Sequence, residues 1–258
     1  MTQTVIGWVN LAKLATITAT SSDDALPPEN MVNEIGSAST AWQTVAGVTN
    51  ATLTFTFDDP GLPVRTIGLF RTNLTTQAQI TATITLDSVE TWTETLAGPA
   101  VGYGQVVFIT VEAENADSLT IEIDDPSNPD AFLNVPLVFI GDAWLPTYSI
   151  APSSADTWAP EVNRLTTRGG QLYQTQLANP RSLAFEFGAV DRDEAYTAAR
   201  EINRLAALGL NVLVIPDGDG DYVKYEAVFG TITNCRPFGY LPGASGTRTW
   251  GATVTERL

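Results

Sequence analysis

Residues 52–57 read Thr-Leu-Thr-Phe-Thr-Phe, apolar at every second place. Strict period two marks a half-buried strand, because successive side chains leave a strand on opposite faces. It turns Leu53, Phe55 and Phe57 inward and the threonines outward. Ile80, Ala82, Ile84 and Leu86 repeat the alternation within 79–86. Residues 65–71, 105–111, 118–123 and 133–140 read as further strands, and Asp58-Asp59-Pro60-Gly61 and the stretch 124–130 supply turns. β-Branched threonine suits the solvent face of such strands. Many short strands between turns mean a sandwich or jelly roll.

The pattern changes after residue 140. Residues 152–170 are rich in Ser, Pro, Thr and Gly and read as a long loop. Residues 172–177 and 181–187 read as a strand pair about the turn Ala178-Asn179-Pro180. Asp191 with Glu194 three residues on is a capping-box pattern. Ala195, Ala198, Ala199, Ile202, Leu205 and Leu208 then recur at helical spacing, and Gly209 stands where a helix ends. One main helix is therefore expected over about 191–208. Residues 211–215, 222–233 and 247–256 read as strands around it. The fold class is mainly β: a β-sandwich jelly roll over 1–140, then an α+β domain over 141–258.

Charge divides the chain at the same place. Residues 1–140 hold three cations against sixteen Asp/Glu, a net of −13, and residues 141–258 hold ten against thirteen, a net of −3. Such a shift suggests two domains with different surroundings. The total of −16 argues against nucleic-acid binding, which needs clustered Lys/Arg. There is no histidine and one cysteine, so Cys/His zinc sites, Ser-His-Asp triads, Cys-His pairs and internal disulfides are excluded. No run of ~20 apolar residues offers a membrane span, and residues 1–10 lack signal-peptide character.

Two stretches carry a resemblance. Residues 25–44, ending in Ser-Thr-Ala-Trp42-Gln43-Thr44, lead to the strand 53–57 and then to Ile67-Gly-Leu-Phe-Arg71-Thr-Asn73-Leu74. This order resembles the galactose-binding-like (discoidin-type) jelly roll. The second runs from Val138-Phe-Ile-Gly-Asp-Ala-Trp144-Leu-Pro146 through Thr167-Arg168-Gly169-Gly170 to Pro180-Arg181-Ser-Leu-Ala-Phe. It is similar to tail proteins of long-tailed bacteriophages, which join such a jelly roll to an α+β domain. The resemblance implies a non-enzymatic structural protein of a virion tail tip or baseplate, made in the host cytoplasm. Its partners would be tail tube, hub or fibre proteins, with a homo-oligomeric ring, no cofactor and a distal-tail role joining tube to adsorption apparatus. The alternative is a carbohydrate-binding module for host-surface glycan, and a glycan hydrolase ranks below both.

The candidate residues follow. In the resembling fold, ligands sit in loops at one end of the jelly roll. Trp42, Trp92 and Tyr103 could stack on a sugar ring, since an aromatic face suits the apolar side of a hexose. Arg71 and Asn73 could hydrogen-bond its hydroxyls. Packing of Trp42 and backbone hydrogen bonding by Arg71 and Asn73 are the plainer roles. Asp217-Gly-Asp219-Gly-Asp221 has the carboxylate alternation of a calcium loop but Tyr222 and Val228 where that loop needs Gly and Glu, so it reads as a solvated turn. Glu112/Glu114 and Glu122/Asp124 share strand faces opposite apolar ones, the pattern of a solvated surface rather than of a glycosidase pair. Arg164, Arg168, Arg181, Arg200 and Arg204 are candidates for assembly contacts, because guanidinium pairs bidentately with carboxylates.

Overall fold

The computed structural model describes residues 3–218, 222–240 and 246–257, apart from the side chains of 176–178. The chain forms two compact units. Residues 1–145 and 215–227 make unit 1, and 146–214 and 228–258 make unit 2.

Unit 1 is a β-sandwich jelly roll. In chain order its strands are β1 (Val5–Gly7), β2 (Ala15–Ala19), β3 (Trp42–Gln43), β4 (Asn50–Phe57), β5 (Leu62–Phe70), β6 (Gln79–Leu86), β7 (Val89–Ala97), β8 (Val106–Ala116), β9 (Ser118–Asp124), β10 (Asn134–Val135) and β11 (Leu137–Gly141). One sheet runs β2-β4-β9-β6-β7, the facing one β11-β5-β8, and β10 pairs with β3. All these pairings are antiparallel. The period-two strands behave as expected: Leu53, Phe55, Phe57, Ile80, Ala82 and Ile84 are buried in one core with Ile67, Leu69, Phe108 and Ile121. Leu86 is only half-buried, because the register shifts between Ile84 and Thr85 and turns it out of phase. On the outer face Thr81 and Thr83 hydrogen-bond Thr95 and Thr93 at 2.8 and 2.9 Å, joining β6 to β7, a strand the periodicity had not disclosed. Each fully buried Phe or Leu stabilises the sandwich by ~1.5–3 kcal/mol.

Residues 215–227 return to this unit. Gly218 N–H donates to Gln3 O at 2.9 Å, Thr4 Oγ1 donates to Pro216 O at 3.0 Å, and Gln105 Nε2 donates to Lys224 O at 2.9 Å. The approach is close: a Cβ on Gly218 would stand 2.7 Å from Val5 Cγ2. Within this segment Val223–Glu226 is a short helix, where the sequence pattern had suggested strand.

Unit 2 contains β12 (Ala155–Trp158), β13 (Glu161–Thr166), β14 (Leu172–Ala178), β15 (Arg181–Asp191), β16 (Asn211–Ile215), β17 (Val228–Cys235), β18 (Gly239–Tyr240) and β19 (Thr247–Glu256). Its main sheet runs β16-β17-β19-β15-β12, with β18 also on β19. β14 does not pair with β15 across the Ala178-Asn179-Pro180 turn. It pairs with β13, and β15 pairs with β12 and β19. The stretch read as a loop thus contains two strands, whose polar residues gave no alternation to follow.

The main helical run is Arg192–Glu194, a π turn at Ala195–Ala199, and Arg200–Ala206. Asp191 caps it by accepting from Asp193 N–H at 2.8 Å. The reciprocal half of the capping box is replaced: Glu194 Oε1 accepts from Thr147 N–H and Oγ1 instead. Gly209 follows with φ +71°, the left-handed turn that favours glycine. Asn203 Oδ1 accepts from Trp250 Nε1 at 3.0 Å, which ties helix to sheet. Trp250 stacks on Phe187 at 5.9 Å and meets Phe185 edge-on at 5.5 Å, and this aromatic trio is the centre of the unit's core. No helix among the described residues is long and apolar enough to cross a membrane.

Candidate functional site

The connections at one end of the sandwich fall in residues 20–49, 71–78, 98–105 and 125–133. Much of this end is consumed by structure. Trp42 is fully buried, and its Nε1 donates to Ser21 O at 3.1 Å, so it is a core residue with no face for a ligand. Asn73 Nδ2 donates to Phe132 O and Asp130 Oδ2, and its Oδ1 accepts from Asn134 N–H. Arg71, at φ +61°, donates to Gly36 O at 2.7 Å. Asp125 is fully buried and takes Thr75 N–H and Oγ1 at 2.8 and 2.6 Å and Asn128 Nδ2 at 3.1 Å. These polar groups lock the loops together, which satisfies buried backbone that would otherwise be costly.

The 98–105 connection is open to solvent, as are Ile35 and Val45 of the 20–49 connection. Gly102 and Gly104, both at positive φ, let the loop fold back sharply. Tyr103 emerges half-buried and meets the Tyr225 ring edge-on, with centroids 5.4 Å apart. Tyr222 lies 6.5 Å from Tyr225 and is 66% exposed. Lys224 Nζ sits 5.5 Å from the Tyr225 ring centroid. The helical turn brings Tyr222 and Tyr225 to one side, since residues three apart are neighbours on a helix. A strand reading of 222–233 sets them on opposite faces, which is why they had not been candidates. Their i, i+3 spacing was the only local signal.

Beside the tyrosines lies a cleft of about 400 Å³ at the open side of the sandwich. β7 and β8 are terminal strands of their respective sheets, and the cleft is lined by Glu94 and Leu96 of β7, by Gln105 and by β8 residues 106–109. Gly218, Val223 and Lys224 form the wall from the returning segment, so Lys224 belongs to both cleft and tyrosine cluster. Glu94 is on the inward-facing set of β7 with Trp92 and Leu96. Burial pushes its carboxyl pKa up, because a low-dielectric wall disfavours the charged form. Trp92 stands edge-on to Phe108 at 6.1 Å, half-buried against the core. The cleft offers an ammonium and a carboxyl, and three phenol rings cluster beside its Lys224 wall.

The other candidates scatter. Arg181 is only 2% exposed; its Nη2 pairs with Asp156 at 2.7 Å and the guanidinium lies 6.0 Å from the Trp158 ring, so it holds unit 2 together and is not a surface contact. Arg204 is exposed and grips Glu201 one helical turn away, and Arg200 is exposed four residues before it. Arg164 and Arg168 are exposed on the β13–β14 hairpin. Asp217 is half-buried, Asp219 and Asp221 lie outside the described residues, and no metal-holding acidic or Cys cluster occurs among the described ones.

No family model matches the chain, and no curated protein matches it. Among solved structures it is similar to the lectin-binding domain of lectinolysin complexed with Lewis b, at 12% identity and a TM-score of 0.43, over 53% of this chain and 98% of that one. A fucose-binding module of Streptococcus pneumoniae matches at 14% identity and 0.42, over 52% and 96%. The family 32 CBM of C. perfringens NanJ in complex with galactose matches at 15% and 0.40, over 52% and 97%.

Proposed function

We propose that unit 1 is a non-enzymatic carbohydrate-binding module, holding a glycan on the Tyr103–Tyr222–Tyr225 face beside the Glu94 cleft. The observation that carries this reading is the tyrosine cluster itself. Exposed phenol rings are costly to hydrate, and they suit the apolar face of a hexose while their hydroxyls serve its polar rim. Glu94 and Lys224 supply an acceptor and a donor for sugar hydroxyls. Glu94 is the one carboxyl on the described cleft wall, which supports binding rather than hydrolysis, since a glycosidase uses a pair. The strongly acidic surroundings favour a neutral sugar over a sialylated or sulfated one.

The test is titration calorimetry of the whole chain against neutral and anionic oligosaccharides. Tyr222→Ala and Tyr225→Ala should each weaken binding by about three- to tenfold. Unchanged affinity in both variants, or preference for anionic glycans, sinks the reading.

A second reading is favoured by the β13–β14 hairpin of unit 2, which leaves Leu165, Leu172 and Tyr173 exposed. Here the protein is a structural part of a virion tail tip, with unit 2 held among tube, hub or fibre proteins and unit 1 presented to the host glycan. Antibody-labelled electron microscopy of virions checks it: label confined to tails supports the reading, and unlabelled virions overturn it.

A further inference from the structure

Arg248 of β19 lies on the helix side of the unit 2 sheet. It is two residues from Trp250, whose indole donates to Asn203 of the helix, and alternate residues of a strand share a face. Its direct strand partners are Val190 of β15 and Tyr240 of β18. Opposed residues face the same way, and the Arg248 guanidinium lies over the Tyr240 ring, 4.5 Å from its centroid. β15 runs into the helix at Asp191, so Arg192 and, one turn on, Tyr196 begin at this same corner. Arg248 and Tyr240 both hydrogen-bond the Tyr196 hydroxyl.

The corner is rich in donors. Arg248 Nη1 donates to Thr247 O at 2.9 Å, but its buried Nε has no hydrogen-bond partner, an arrangement that costs stability until an acceptor arrives. Neither Arg192 nor Arg248 has an ion-pair partner among the described residues. Two of the three carboxylates at the helix start are engaged elsewhere: Asp191 accepts from Asp193 N–H, and Glu194 from Thr147. Asp193, like Arg192, is exposed. Tyr196 is 49% and Tyr240 72% exposed, so the corner is open to a ligand. Arg248, with smaller help from Tyr240 and Arg192, holds the Tyr196 phenol below its usual pKa, the response of a group set among converging donors and positive charge.

We propose that Arg192, Tyr196, Tyr240 and Arg248 form a site for a tetrahedral oxyanion, the phosphate or sulfate group of a monoester. Guanidinium forks match pairs of its oxygens, and the phenol hydroxyls reach a further one. A planar carboxylate has too few oxygens to use these donors together. The exposed Tyr240 ring lies beside the organic part of the ester. The site does not rest on the glycan reading, whose residues all belong to unit 1.

Titration calorimetry of the full chain against phenyl phosphate, phenyl sulfate and benzoate tests it. One or both esters should bind, the tighter naming the ester, and benzoate should bind at least about tenfold more weakly. Arg248→Gln should weaken ester binding at least about tenfold, Arg192→Gln about three- to tenfold and Tyr196→Phe about threefold. Arg164→Gln, on the hairpin, and Tyr222→Ala, on the glycan face, should leave it unchanged. Arg192 is exposed, so its variant reads binding without a burden on folding, and circular dichroism checks the others. Absence of ester binding overturns the proposal, as does benzoate binding equally well. So does affinity that survives both Arg192→Gln and Arg248→Gln, or that falls as far with Arg164→Gln.

Discussion

Unit 1 carries four cations against twenty-one Asp/Glu, a net of −17, and unit 2 nine against eight, a net of +1, so the whole negative charge of the chain belongs to one unit. Their interiors differ as well. Unit 1 is held by a continuous aliphatic and phenylalanine core with buried Asn and Asp locking its loops. Unit 2 centres on Phe185, Phe187 and Trp250 and ties its sheet with Arg181–Asp156 and Arg236–Glu186 pairs. A unit that tolerates such self-repulsion must draw its stability from apolar burial, because uncancelled surface charge works against compaction. The lesson is a division of charge: one unit holds together against its own like-charge repulsion, and the other is close to neutral.

The largest test of that contrast is a core truncation in each unit. Phe55→Ala and Trp250→Ala should each cost about 3–5 kcal/mol. Hydrogen exchange resolved by segment should show protection lost from residues 50–124 in the first and from 181–256 in the second. Loss across both units from either variant would break the division. Arg181→Met comes next. It leaves Asp156 unpaired at a site where the guanidinium is buried, and should destabilise unit 2 by about 1–3 kcal/mol in chemical denaturation. Salt should act with the opposite emphasis. Raising ionic strength from about 0.01 M to about 0.5 M should stabilise unit 1 by about 1 kcal/mol and leave unit 2 nearly unmoved. An equal response would show that the charge asymmetry has no energetic weight.

The smallest effect is at Glu94. Its folded pKa is raised above the ordinary carboxylate value by burial, so the native state binds the proton more tightly than the unfolded state. Stability therefore falls as pH rises from below the ordinary carboxylate value through the raised one. Glu94→Gln removes that loss and should raise the midpoint by about 1 °C at pH 7, with the gain gone near pH 4. A gain that persists unchanged in acid would sharpen the cause to packing instead of charge.

The residues that were legible share one property: their pattern repeats at the period of the element that holds them. Leu53, Phe55 and Phe57 announce a strand, and Ala195 to Leu205 announce a helix, although the π turn at Ala195–Ala199 is not visible in the spacing. Trp42 was ambiguous because an aromatic beside a loop reads alike as anchor or platform, and only its buried indole decides. Arg181 misled for a similar reason, since arginine type carries no information on burial. β13 and β14 were missed as partners because exposed strands have no buried face to write an alternation. The tyrosine cluster joins residues 103 and 225, and no local rule reaches across that separation.

That separation also has a temporal side. The segment holding Tyr222 and Tyr225 lies in the chain between β16 and β17, long after the rest of the jelly roll has left the ribosome. The sandwich can close on its core while its tyrosine face is still unmade. A fragment ended at residue 145 would keep the aliphatic core yet lack two of the three rings, along with the peptide that Gln3 and Gln105 hold. Competence at this surface is thereby conferred late in synthesis, by a portion of chain whose flanking strands are made for the other unit.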